Sequence, residues 1–155
     1  MRIEIREAEL ADRDALRELM NRYIFDFYHY PRPEEVRLEA LLDVLMEKQA
    51  GIQFVAVHEG ELVGFATLYF TYSTLRSGKV VIMNDLFVTD KCRSQGVGTK
   101  LFRACSQYAA YKGYRAMLWE TSKDNVEAQQ FYEKMGGERD EWYPYSIKPR
   151  IGIGD

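Results

Sequence analysis

Apolar and charged positions alternate over residues 3–6, which predicts a short opening strand. Asp12 then stands where a helix cap belongs, and Leu16, Leu19, Met20 and Tyr23 recur at helical spacing behind it. A polar-aromatic stretch follows, from Tyr23 through Phe25, Asp26, Phe27, Tyr28 and His29 to Tyr30, and Pro31 and Pro33 interrupt regular structure there. Residues 34–48 read as a second helix with Val36, Leu41, Leu42 and Leu45 turned inward. Strands are predicted over residues 53–58 and 62–72, joined by the turn Glu59-Gly60-Glu61, and over residues 80–88 after a turn region containing Gly78. A helix over 99–111 ends at Gly113, a short strand covers 116–120, and a helix over 125–135 stops at Gly136-Gly137. Residues 145–148 read as a last strand.

Three consecutive strands joined by tight turns imply an antiparallel meander, and the helical crossover after the third implies a parallel strand beyond it. The expected class is α/β (α+β): a mixed, mostly antiparallel central sheet with flanking helices, unlike a dinucleotide-binding Rossmann unit. A single domain is expected over 1–150. The glycine-containing end, 151–155, is expected to be a mobile tail.

Composition narrows the classes. The chain has 155 residues, 46% hydrophobic and 29% charged, which suits a soluble globular domain. A formal net charge of -3 and the lack of a basic stripe argue against a nucleic-acid partner. Cys92 and Cys105 form neither a CxxC nor a disulfide framework, so a reducing, cytoplasmic setting is expected. No apolar run is long enough to span a membrane. With His29 and His58 as the two imidazoles, no metal site is expected.

The segment Arg93-Ser94-Gln95-Gly96-Val97-Gly98 changes the picture most. It lies between a predicted strand and a predicted helix. Such a turn gathers backbone N–H groups, and the helix start adds its positive end, so the place suits a phosphate or pyrophosphate.

Arg93-x-x-Gly96-x-Gly98 follows Asp85-Leu86-Phe87-Val88 and precedes a helix, and Asn125, Ala128, Phe131, Tyr132 and Gly136 recur downstream. This arrangement resembles the GCN5-related N-acetyltransferase (GNAT) superfamily, from residue 3 to about residue 148. Within it, Leu68-Tyr69-Phe70-Thr71-Tyr72-Ser73, Asn84-Asp85-Leu86-Phe87-Val88 and the Asn125 to Lys134 segment are most similar to diamine and polyamine acetyltransferases of the spermidine/spermine and thialysine type. The resemblance implies acetyl-CoA as cofactor, a small primary amine as acceptor and a homodimer. It implies that Gln95, Gly96, Val97, Gly98 and Thr99 cradle the pyrophosphate, with Arg93 at the loop entrance and Lys100 and Lys134 as phosphate neighbours. Ser94 stands where many members have glycine, and so requires a particular backbone angle. Backbone at Leu86, Phe87 and Val88 is implied to face the acetyl-pantetheine arm, which enters a splayed gap beside residues 116–120. Asn125 is implied to touch the cofactor and also suits a helix cap.

Acetyl transfer to an amine needs a proton acceptor for the ammonium, a donor to the developing oxyanion and an acid for the thiolate. Tyr132 is implied as that acid, since an ordinary phenol with a pKa of about 10 carries its proton at neutral pH. The alternative is a helix face that merely packs. Asp85, a carboxylate within an apolar strand, must be paired or face a cleft. It is a candidate for receiving the amine's proton, directly or through water, or for binding the ammonium. The alternative is a structural hydrogen bond. Relatives often carry a Glu-Asp pair where this chain has Asn84-Asp85, so an amide replaces one carboxylate. Strict strand alternation puts Asn84 on the opposite face from Asp85. Tyr23, Asp26, Tyr28 and Tyr30 lie where the family's early helices wall the acceptor pocket, and aromatic faces with a carboxylate suit an alkylammonium. Asn84 and Glu120 complete the acceptor candidates. Two other readings stay open: a protein N-terminal or lysine acetyltransferase, and a coenzyme A-binding sensor without catalysis.

Overall fold

The structure is a computed structural model and describes residues 2–152. Its contacts divide the chain into two units, Met1–Glu120 and Thr121–Asp155. The first holds a five-stranded sheet in sequential order: β1 (Glu4–Glu7), β2 (Gly51–His58), β3 (Glu61–Ser73), β4 (Gly78–Val88) and β5 (Met117–Leu118). The first four strands are antiparallel and β5 joins β4 in parallel, as the connection lengths require. The β2–β3 hairpin closes through Glu59 and Gly60, both at positive φ, with His58 opposite Glu61. Two positive-φ residues match the twist of the flanking strands.

Helices cover both faces of this sheet. On one side α1 (Arg13–Asn21) and α2 (Glu35–Met46) bury Leu16, Leu19, Met20, Leu38 and Leu42 against Val55, Phe65 and Phe87. On the other, α3 (Val97–Tyr111) buries Leu101, Phe102, Cys105 and Ala109, and its Tyr108 ring meets Phe54 and Phe70. Val36 is exposed rather than inward, and Leu38 takes the buried place, because the inward stripe of α2 runs through Leu38, Leu42 and Leu45. No helix among the described residues is long and apolar enough to cross a membrane.

Asp12 does not cap α1 with its side chain. Its carboxylate takes two bonds from Arg6, at 2.7 and 2.9 Å, and the N–H of Glu9 at 2.8 Å, so the pairing of β1 with the α1 entrance outcompetes the cap. The aromatic stretch is also more regular than expected. After α1 the chain widens into a π-helical turn over Arg22–Phe27, and wide turns of this kind recur at functional sites.

In the second unit, α4 (Val126–Lys134) starts at Asn125, whose Oδ1 accepts the N–H of Ala128 at 3.0 Å. Residues 145–148 form no strand: Tyr145 and Ile147 are exposed, so their alternation has no buried face to serve. Of the expected tail, residues 153–155 lie outside the described residues.

Candidate active site

The sheet opens where β4 leaves β5. Their parallel ladder pairs Val81 with Met117 and Ile82 with Leu118 and ends there, while β4 runs on to Val88 beside β3. Between Thr67 and Leu68 the β3–β4 register shifts: Thr67 faces Asp85, yet Leu68 faces Met83. Asn84 is therefore the extra residue of a β-bulge, which breaks strict alternation and leaves backbone groups out of the ladder. The expectation that Asn84 turns to the opposite face from Asp85 is corrected by this bulge. The Asn84 amide donates to Asp85 Oδ1 at 2.9 Å, so the two side chains work as a pair.

Asp85 is buried. Burial pushes its carboxyl above the usual carboxylate range, and hydrogen bonds from Thr67, Asn84 and Tyr23 act in the opposite direction. The Tyr23 hydroxyl lies within 3.4 Å of the Asn84 carbonyl oxygen and also bonds the Asp85 carboxylate. Burial first, and then the charge of Asp85, push the Tyr23 phenol upward, and the same two causes push Tyr69 up to about 12. A desolvated carboxylate with raised proton affinity, ringed by protonated phenols, is suited to accepting a proton.

Tyr23 organises the wall above this carboxylate. Its ring meets Tyr28 edge-on at 5.0 Å, Phe65 at 5.6 Å and Phe87 at 5.8 Å, and lies parallel to Phe27 at 6.2 Å. Tyr30 extends the wall from Tyr28 at 6.3 Å, and both of these outer tyrosines are exposed. Asp26 is exposed and lines a groove of about 520 Å³ with Asp14, Arg17, Glu18, Asn21, Arg22 and Arg32, which shares no lining residue with the Tyr23 cluster. Glu120, beyond β5, is exposed. Trp119 beside it packs edge-on against Phe102 at 5.3 Å.

The glycine loop follows β4 directly. Arg93 donates from Nε to the Val88 carbonyl at 3.0 Å, pairs with Asp90 at 3.1 Å, and holds its guanidinium 5.2 Å from the Phe27 ring and 5.9 Å from that of Phe87. It thus ties the loop entrance to the strand end and the aromatic wall, a role that loop spacing alone does not disclose. Ser94 and Gly96 both take left-handed conformations, at φ 63° and 81°. The serine bears out the special angle expected for its position, and the glycine suits an angle that side chains resist. A Cβ on Gly96 would meet nothing within 4 Å, so the loop is open on that side. Gln95 and Gly96 are exposed, Val97 is buried, and Gly98 and Thr99 are half-buried at the start of α3. The first amides of a helix have no carbonyl partner within it. With the open glycine they form a cradle of the kind a pyrophosphate fits. Leu86 and Val88 are half-buried and Phe87 is buried.

In the second unit, Tyr132 is half-buried on α4 with its ring 5.4 Å from that of Phe131, and Lys134 is exposed at the helix end.

A mixed sheet opened at the end of a bulged strand, followed by a left-handed glycine loop and a helix start, is the architecture of an acyl-CoA-dependent transferase. The acetyltransferase (GNAT) family model matches residues 13–137. An uncharacterized N-acetyltransferase of Bacillus subtilis, YhfO, is 33% identical over 138 residues, covering 89% of this chain and 91% of its own. The D-amino-acid N-acetyltransferase HPA3 of Saccharomyces cerevisiae is 30% identical over 142 residues, covering 90% of this chain and 87% of its own. Among solved structures, AAC(6')-Iy in complex with a bisubstrate analog superposes with a TM-score of 0.84 over 97% of this chain and 100% of that one; at 22% identity this likeness carries the fold alone. The chain belongs to the GNAT acetyltransferase family and is an acetyl-CoA-dependent enzyme that transfers acetyl to an amine. The matches are to the superfamily and do not single out its polyamine branch.

Sequence reasoning missed Gln53 and Thr67. Both are buried polar residues in predicted strands, and that mismatch with their surroundings is the signal that could have found them.

Proposed function

We propose that the acceptor is a small primary amine, either a diamine, a polyamine or an amino-acid-like amine, and that Asp85 takes the proton from its ammonium, directly or through one water. The observation that carries this reading is the Asp85 environment. A buried carboxylate of raised proton affinity lies beside the strand bulge and below the aromatic wall headed by Tyr23. Tyr23, Tyr28 and Tyr30 offer ring faces and hydroxyls to an alkylammonium. Asn84 orients Asp85, and Asp26 and Glu120 add negative charge at the periphery. The D-amino-acid specificity in the name of the yeast relative favours an amino-acid-like acceptor within this range.

Bound acetyl-CoA supplies the acetyl thioester. Amides of Gln95, Gly96, Val97, Gly98 and Thr99 hold its pyrophosphate, with Arg93 and Ser94 shaping the loop and Lys100 and Lys134 adding positive charge. Backbone at Leu86, Phe87 and Val88 would hold its pantetheine arm and would supply N–H donors where negative charge develops. Asn125 caps α4 and would hold the arm, and Tyr132 would serve as the acid for the leaving thiolate. Holding both substrates together makes a covalent enzyme intermediate unnecessary, because proximity supplies much of the rate.

Free-thiol release from acetyl-CoA, measured against diamines, polyamines, D- and L-amino acids and short peptides, tests the acceptor class. Saturable turnover with one small-amine class is expected. Turnover confined to peptides would replace the acceptor with a protein, and acetyl-CoA binding without any turnover would indicate a sensor.

A further inference from the structure

The cross-strand register places three buried polar residues side by side. Gln53 on β2 faces Thr67 on β3, and Thr67 faces Asp85 on β4. Two residues further along each pairing stands the apolar row Val55, Phe65 and Phe87. Polar residues in such a position are costly unless each is bonded. Here Gln53 Nε2 donates to Thr67 Oγ1 at 3.0 Å, and Thr67 stands directly opposite Asp85, where its hydroxyl favours the ionised carboxylate. Because the glutamine amide fills the acceptor side of the hydroxyl, the one hydroxyl proton is free to go to Asp85. Among the described residues Gln53 Oε1 is buried without a partner, and Nε2 has the Met20 sulfur at 3.7 Å as a second neighbour. Turning the amide over would give Oε1 the Thr67 proton and take that proton away from Asp85.

We infer that Gln53 and Thr67 are positioning residues for the reaction: a directed hydrogen-bond chain across three strands that aims a proton at Asp85 and keeps this buried carboxylate available in its ionised form. This deepens, and rests on, the reading of Asp85 as the group that receives the amine's proton. The chain changes no covalent bond. It lends negative charge a donor while Asp85 is ionised, and the proton that Asp85 gains comes from the substrate ammonium. Charge-assisted bonds of this kind are the strong ones, and successive bonds polarise one another. The titratable groups facing Asp85 are Tyr23, from the π-helical turn, and Tyr69, from β3, with the neutral amide of Asn84 beside them on β4.

The test follows the Asp85 carboxyl by carbon NMR of the full chain labelled at aspartate, during a pH titration, with kcat/KM measured across the same range. Thr67→Val removes the donor at nearly constant volume. It should raise the Asp85 midpoint by about one pH unit, about tenfold in proton affinity, and Thr67→Ser should restore it. Gln53→Met should move the midpoint in the same direction by less, and it supplies the measurement if Thr67→Val does not fold. A midpoint unchanged in the folded variants would overturn the chain, because a merely structural pair would alter melting temperature and leave Asp85 alone. A midpoint that moves supports the chain whatever the rate does. If the acid limb of kcat/KM then fails to follow it, the reading of Asp85 as proton acceptor falls separately.

Discussion

A carboxylate held out of water pulls stability and chemistry in opposite directions, and Asp85 shows both. Its folded proton affinity exceeds the unfolded value because burial outweighs the donors of Thr67, Asn84 and Tyr23. The folded state therefore binds the proton more tightly, so this group's contribution to stability is full below the unfolded aspartate value of about 3.9, is lost as pH rises through the raised folded midpoint, and changes no further above it. Asp85→Asn removes a buried charge and keeps the shape. It should leave thermal stability equal or higher while lowering kcat/KM by about 100-fold or more, which calorimetry and thiol-release kinetics check together. Tyr132→Phe should lower kcat by about 100-fold with little change in melting temperature; an unchanged kcat would return Tyr132 to a packing role. In the loop, two backbone angles give opposite expectations. Gly96→Ala meets no neighbouring atom yet must adopt φ 81°, so it should destabilise by about 1–2 kcal/mol and raise the KM for acetyl-CoA. Ser94→Gly relieves the same strain at φ 63° and should be neutral or stabilising by chemical denaturation.

Elements explain what was legible in the sequence and what was not. The strands, the hairpin at Gly60 and the glycine-loop helix followed from periodicity and turn chemistry, because each is encoded within a few residues. The Asn84 bulge was not legible, since it exists only as a mismatch between two strands far apart in the chain. The row Gln53, Thr67 and Asp85 is hidden for the same reason: register, not spacing along one strand, brings it together. Asp12 was misread because a local cap competes with a distant arginine, and the bidentate Arg6 pair wins. That pair has its own pH signature. The Arg6 hydrogen bond holds the Asp12 carboxyl below its ordinary range, despite burial. Its stabilisation is full above the ordinary aspartate value of about 3.9 and is lost as pH falls through the depressed folded value. Asp12→Asn should cost about 1–3 kcal/mol at pH 7, and the difference from the parent protein should shrink as the acid transition is approached.

At the scale of the whole molecule, the sheet, its bulged fourth strand and the loop–helix start belong to one unit, while α4 with Tyr132 belongs to the other. Family membership fixes acetyl-CoA and amine chemistry for the chain as a whole. The proposed proton acceptor, Asp85, and the glycine loop lie in the first unit, and the proposed acid, Tyr132, lies in the second. The most direct measurement is the pH dependence of kcat/KM for the parent enzyme and Asp85→Asn, with the best acceptor amine. The parent should lose activity as pH falls through a midpoint above the usual carboxylate range, and Asp85→Asn should lose both that limb and about 100-fold or more of the rate. An Asp85→Asn enzyme with the parent's rate and the parent's acid limb would contradict the assignment of Asp85 as the proton acceptor.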